Sequence, residues 1–326
     1  MSVQSLYASK RMSAADAIQV LRDGDTVVVP TGVGEPPSLL TALSEARRNY
    51  RGITVSQILP LRKYGYIDPE TVDHVRHSAY FFGGATRPGG QEGWIDFVPA
   101  YFSELPMLLK RGLTPSDVVF SLASPMDEHG YFSLSLAPDY TMAAIEKARV
   151  VVLEVNPNVP FAHGDCHIHI SRVAALTESS DPLLEVGLPK IGPVQEAIGA
   201  HVAEMIPDGA TLQIGYGGIP DAVVMQLTHK RDLGIHTEMI GDGIMTLVEA
   251  GVVTNQRKNV HRGKMLATFA LGSKKLYDFM HRNPALEMHP VDFTNDPFLA
   301  GQNDNLHCIN ATMQIDFLGQ CGSESL

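Results

Sequence analysis

The chain has 326 residues, 44% hydrophobic, 19% charged and 7% aromatic, with a formal net charge of -11 at pH 7. This is the composition of an ordinary globular enzyme, at a length where one core, which stops growing at roughly 250–300 residues, gives way to two. The negative balance excludes nonspecific binding to nucleic acid or to an anionic membrane, since both need spread positive charge, so an anionic ligand has to be met locally.

The opening MSVQSLYASKRMSAADAI lacks the apolar core of a secretory signal. No later segment approaches the ~20 apolar residues that span a bilayer. Cys166, Cys308 and Cys321 show no CxxC spacing, so neither a disulfide framework nor a thiolate zinc cluster is expected. A cytoplasmic protein is expected.

From Asp25 the chain alternates β-branched runs with helical stretches: DTVVV, PSLLTALSEARR from Pro37, ITVSQIL from Ile53, SDVVFSLAS from Ser116 and ARVVVLEV from Ala148. This rhythm predicts a mostly parallel sheet covered on both faces. Within it the loop GGQEGWIDF carries Gln91 and Glu92, which the family resemblance given below makes candidates for a pocket for a small acid. Glu92 would repel a carboxylate and can instead cap a turn. AHGDCHIHIS collects metal-ligand types in His163, Asp165, Cys166, His167 and His169. Strand alternation puts only His167 and His169 on one face, and no distal carboxylate motif matches, so no metal is expected.

The segment from Ala17, AIQVLRDGDTVVVPTGVGEPPSLLTAL, is echoed from Ile198 by IGAHVAEMIPDGATLQIGYGGIPDAVVMQL. Each reads helix, Asp-Gly turn, strand, Gly-rich loop, proline and helix, and Asp23, Gly24 and Thr26 match Asp208, Gly209 and Thr211. The predicted fold class is therefore α/β, with two tandem related open α/β domains built on mostly parallel sheets. Asp181, Gly187, Pro189, Gly192 and Pro193 break both periodicities and place the boundary there, giving domains 1–187 and 188–326.

In the second half, TLQI from Thr211 is a short strand, Gly215-Tyr216-Gly217-Gly218 a loop, and Pro220 opens a helix that turns Val223, Val224 and Leu227 inward. Glycines let a ligand approach the backbone, and a helix start offers partial positive charge to an anion or oxyanion. GYGGIP is neither a dinucleotide fingerprint nor a P-loop, so it carries no nucleotide specificity. The next strand is read over residues 235–240, with Glu238 near its carboxyl end, where open α/β sheets bind ligands. Period two puts His236 on the face of Glu238 and Thr237 on the other. Asp242 is the expected N-cap of a helix over 244–250, with Gly251 as its stop.

GYGGIPDAV, LGIHTEM, DGIMTLVEAGVVTN, GSKKLYDF and NDNLHCINATMQIDFLGQCGSES, with GGATRPGGQEGWIDFVPAYFSELP and SPMDEHGYFSLS in the first half, carry a resemblance over nearly the whole chain. It resembles the family I CoA-transferases of the 4-hydroxybutyrate and butyrate/acetate type, within the acetyl-CoA hydrolase/transferase family. The resemblance implies that Glu238 is the nucleophile, that Gln213, Ile214, Gly215, Tyr216, Gly217 and Gly218 face the CoA thioester, and that a later contact falls at Asn310 and Met313. It implies CoA as a co-substrate with no permanently bound cofactor, and acyl-CoA and small carboxylic acids as partners. The family continues beyond the equivalent of Ser325 through a glycine-rich element beside the active site, so the second domain is expected to be incomplete at its C-terminus.

The expected reaction is CoA transfer between a short-chain acyl-CoA (4-hydroxybutyryl-, butyryl- or acetyl-CoA) and a carboxylate such as acetate, through a glutamyl-CoA thioester. The alternatives are an acyl-CoA hydrolase using the same Glu238, and an inactive CoA-binding remnant. Arg257, Lys258, Arg262 and Lys264 form the densest cationic stretch of the second half for the anionic CoA end, with a solvated turn as the other reading. A homo-oligomer is compatible with the sequence, which does not specify one.

Overall fold

The computed structural model describes residues 2–187 and 190–323. Leu188 and Pro189, at the expected boundary, lie outside the described residues. The first half is built on a seven-stranded sheet in the order Ala175–Glu178, Val150–Val155, Val118–Ala123, Thr26–Val28, Ile53–Gln57, Val75–Ala79 and Asp96–Phe97. Every pairing in it is parallel. Both faces are apolar because both are covered. Val27, Val29, Val118 and Phe120 share one core with Leu39, Leu40 and Leu43 of the helix Pro37–Ala46. The alternate residues Val28 and Val119 join Ala143 and Ala144 of the helix Thr141–Lys147 in the other.

In the second half, Gly234–Ile235, Thr211–Ile214 and Leu306–Ile309 form one parallel sheet. Met265–Ala267, Leu286–Met288 and His163–Gly164 form another, joined to the first through a parallel bridge between His236 and Leu266. The strand His163–Gly164 comes from the first half, and Ala162 and Cys166 around it are buried in the second half's core beside Met265 and Met288. The halves are thus joined by strand pairing as well as by packing. No described helix is long and apolar enough to cross a membrane.

The repeat holds at the level of single hydrogen bonds. Asp23 accepts from the backbone N–H of Arg51 at 2.8 Å, and Asp208 from that of Arg231 at 2.9 Å. Gly24 and Gly209, at φ 82° and 78°, each donate to the carbonyl of the same arginine at 2.9 Å. In both halves an Asp-Gly turn thereby pins the residue that leads into the next strand, and sets that strand beside Thr26 or Thr211.

Candidate active site

The strand expected over residues 235–240 is broken. Gly234–Ile235 pairs with Thr211–Leu212, whereas Met239–Ile240 pairs with Phe269–Ala270. The cause is Thr237, which lies between them. Its hydroxyl accepts from the N–H of Ile214 at 3.0 Å and donates to the carbonyl of Ile214 at 2.9 Å, taking the place of a backbone partner. Beyond this stitch the Glu238 carbonyl accepts from Thr268 and Phe269, at 2.9 and 3.1 Å. Glu238 therefore sits at a step between two parallel sheets, one residue from the tie to Ile214 and the glycine loop.

The Glu238 carboxylate is half-buried and accepts from Asn295 Nδ2 at 2.6 Å. Burial raises its pKa above the ordinary glutamate range, and the Asn295 hydrogen bond opposes that rise. Asn295 caps the short helix Val291–Thr294. His236, expected on the face of Glu238 as either a partner of the carboxylate or a packed strand histidine, is the latter. Its Nε2 donates to the Thr294 carbonyl at 2.7 Å, and Nδ1 accepts from Asn303 Nδ2 at 3.2 Å. Burial pushes its pKa down to about 4, so the ring is neutral near pH 7. His236 and Asn295 thus hold one helix end from two sides, and the histidine acts on Glu238 at one remove. The Asn295 contact was not expected, because no local pattern links residues 57 positions apart.

Asn295→Ala removes a donor that favours the charged carboxylate. A hydrogen bond to a charged group contributes about 1.5–3 kcal/mol, so the charged form of Glu238 should be less favoured without it, which a pH titration of this carboxylate measures. The acid limb of the pH profile should also move to higher pH, because without this donor burial acts unopposed. A profile superimposable on that of the unaltered protein would show that Asn295 does not control this carboxylate.

The glycine loop is only partly available to a ligand. The Gly215 N–H is spent on the Ile309 carbonyl at 2.8 Å, and that of Ile214 on Thr237. Gly217, at φ 126°, precedes the helix Gly218–Met225, and the first N–H groups of that helix lie outside its own ladder. Tyr216 is exposed. Gln213 and Asn310, one strand apart, exchange amide hydrogen bonds at 2.8 and 3.2 Å, while Met313 lies exposed beyond them. The structure therefore brings Gln213, Gly215 and Asn310 together at one sheet edge. Asp242 is the first residue of the helix Asp242–Glu249 and not its N-cap, which is Gly241. The Asp242 carboxylate is taken up by the N–H and hydroxyl of Ser273.

The cationic stretch is placed differently from expectation. Lys258 is fully buried, donating to the carbonyls of Ile235 at 2.7 Å and Lys264 at 2.6 Å. Burial pushes its pKa down to about 7, and it is not part of a surface patch. Arg262 and Lys264 also donate to backbone carbonyls, of Lys258 and Pro284. Glu92 accepts from the Trp94 indole at 2.9 Å, which is the turn-closing role. In AHGDCHIHIS three of the five groups have their own neighbours: the Cys166 thiol lies on Ser133, His167 on the Ala162 carbonyl and His169 on Ser171. Two other histidines do converge, His261 and His289 on Glu287. A turn and a strand bring these together, and no spacing in the sequence announced them.

Residues 1–186 match the acetyl-CoA hydrolase/transferase N-terminal domain, and residues 272–326 its C-terminal domain. The chain belongs to the acetyl-CoA hydrolase/transferase family. Within this family it is 47% identical to the succinyl-CoA:cyclohexane-1-carboxylate CoA transferase of Geobacter metallireducens, over 99% of this chain and 74% of that one. To the 4-hydroxybutyrate coenzyme A transferase of Clostridium kluyveri it is 43% identical, over 100% of this chain and 76% of that one. Among solved structures, RipA from Yersinia pestis superposes with a TM-score of 0.94 at 35% identity, over 100% of this chain and 78% of its own. A 4-hydroxybutyrate CoA-transferase from Porphyromonas gingivalis gives 0.88 at 36% identity, over 98% of this chain and 77% of its own.

Proposed function

We propose that this member of the acetyl-CoA hydrolase/transferase family is a CoA-transferase. It would move CoA between a short-chain acyl-CoA (4-hydroxybutyryl-, butyryl- or acetyl-CoA) and a carboxylate such as acetate, with Glu238 as nucleophile. The observation that carries this reading is the tie from Thr237 to Ile214, which fixes the residue before the half-buried Glu238 to the strand that leads into the glycine loop. The names of the relatives supply the thioester chemistry.

In the proposed sequence a Glu238 carboxylate oxygen attacks the acyl carbon, the C–S bond breaks, and CoA leaves as thiolate from an acyl-glutamyl anhydride. The thiolate then attacks the glutamyl carbonyl and releases the acyl group as a carboxylate, which leaves a glutamyl-CoA thioester. A second carboxylate runs the two steps in reverse. Thioester energy is conserved, so neither ATP nor a permanently bound cofactor takes part. The N–H groups of Gly217 and Gly218 are the proposed oxyanion donors, each such donor contributing roughly 3 kcal/mol in other enzymes. Gln213 and Asn310, fixed by each other, would orient the thioester end of CoA. On this reading residues 188–326 carry the nucleophile and 1–187 close the site over it, in the reducing cytoplasm where free CoA thiol persists.

The test is CoA transfer from butyryl-CoA to a panel of short acids. Loss of butyryl-CoA should require the added acid, with ping-pong kinetics and the new acyl-CoA formed in equal amount. Thioester loss that proceeds at the same rate without any acid would replace this reading with hydrolysis.

A further inference from the structure

Away from Glu238, two imidazoles converge on one carboxylate. His261 Nδ1 lies 2.6 Å from Glu287 Oε2, and His289 Nε2 lies 3.2 Å from the same oxygen. The donor atoms of all three residues lie within 4.8 Å of one another. Hydrogen-bonding protons hold this arrangement together as it stands. Exchanging them for a dication uses the same atoms and needs only small rotations, because metal–ligand distances of about 2.0–2.2 Å fit inside that spread.

The rings are held for the purpose from outside. The two imidazoles stand perpendicular, at 88°, with centroids 5.5 Å apart. Phe293 stacks on His289 at 4.5 Å and meets His261 edge-on at 5.5 Å, closing one side with an apolar wall. The His261 side chain is 37% exposed and His289 only 11%, so solvent meets the cluster chiefly at His261. Lys258, the nearby buried cation, is committed to two carbonyls and does not occupy the carboxylate. Two nitrogens and one carboxylate oxygen suit zinc and its first-row neighbours, whereas magnesium and calcium favour oxygen-only sets. Three protein ligands leave a position for water.

The cluster also touches the proposed active site through one short element. Phe293 belongs to the helix Val291–Thr294, whose end carries the His236 and Asn295 contacts. We infer that His261, Glu287 and His289 form a binding site for a zinc-class divalent cation, and that its occupancy fixes this helix and, through Asn295, the Glu238 carboxylate. The second clause rests on the proposed role of Glu238, and the first does not.

The metal-free 326-residue chain is titrated with Co²⁺, followed by its visible d–d bands, and with Zn²⁺ in competition with a chromophoric chelator. One equivalent should bind, and His261→Ala should weaken both metals by at least about tenfold, the lower end seen even for changes outside the ligand set. His261 is exposed, so this variant is expected to fold, which circular dichroism checks; Glu287→Gln supplies a second, near-isosteric test. Equal binding by the folded variants and the unaltered chain, or no d–d bands at one equivalent of Co²⁺, would overturn the site. For the coupling, Zn²⁺ should shift the acid limb of the pH profile in the unaltered enzyme and leave it unmoved in Phe293→Ala. Binding without any such shift would remove the coupling and leave the metal site standing.

Discussion

Glu238→Ala is expected to lower kcat for CoA transfer by at least about 10⁴-fold, the scale on which loss of a nucleophile acts in a preorganised site. Little in KM should change, because the contacts proposed for CoA lie at Gln213, Asn310 and the glycine loop. Glu238→Gln keeps the volume and the Asn295 neighbour but lacks a nucleophilic oxygen, so it should show little activity or a delayed onset. Incubation of the unaltered enzyme with acyl-CoA followed by borohydride or hydroxylamine should leave a modification confined to Glu238. An active preparation that yields no covalent adduct would remove Glu238 from the role, and the alanine variant would then be measuring only structure. The fold itself should survive the substitution: the side chain is half-buried with one partner, and the strand break is held by Thr237 and by the Glu238 backbone carbonyl.

What could be read in advance follows the range of the interaction. The Asp-Gly turns were legible because Asp followed by Gly favours a turn by its own backbone chemistry, whereas the bonds these turns make to Arg51 and Arg231, 28 and 23 residues further on, were not. The parallel sheet was legible from near-continuous apolar runs such as Val150–Val155, which need cover on both faces. The break in the strand around Glu238 was not, since it depends on Thr237 reaching the backbone of a strand 23 residues earlier. Lys258 was misread for a related reason. A lysine in QRKNVHRGK looks solvated by composition, yet two carbonyls in the right places suffice to bury it. The repeat adds one distinction that the motif does not. The pairing registers set Thr54 against Thr26 and Gly234 against Thr211, so Glu238 falls at the position of Ile58 in the first half. The duplicated scaffold thus carries a carboxylate at this position in one copy only.

Gly164→Ala should give a large loss of stability, of about 2–5 kcal/mol. Gly164 has φ 109°, where an L side chain costs about 1–2 kcal/mol. An added Cβ would also lie 2.6 Å from the Met288 nitrogen and closer still to its carbonyl oxygen. These are backbone atoms of the paired strand, so they cannot swing aside as a side chain would. Overpacking of this kind costs a further 1–3 kcal/mol or so. Gly112→Ala is the matched control, at φ 69° with nothing within 4 Å of the new Cβ. The difference between the two denaturation midpoints therefore isolates the clash from the backbone strain. If both variants lose the same stability, the first-half strand is not seated against Met288 as closely as the pairing requires. If the difference appears, it locates the cost at the strand joining the two halves. Glu287 and His289 flank Met288, so forcing that strand away should also weaken Co²⁺ binding in Gly164→Ala and leave it unchanged in Gly112→Ala.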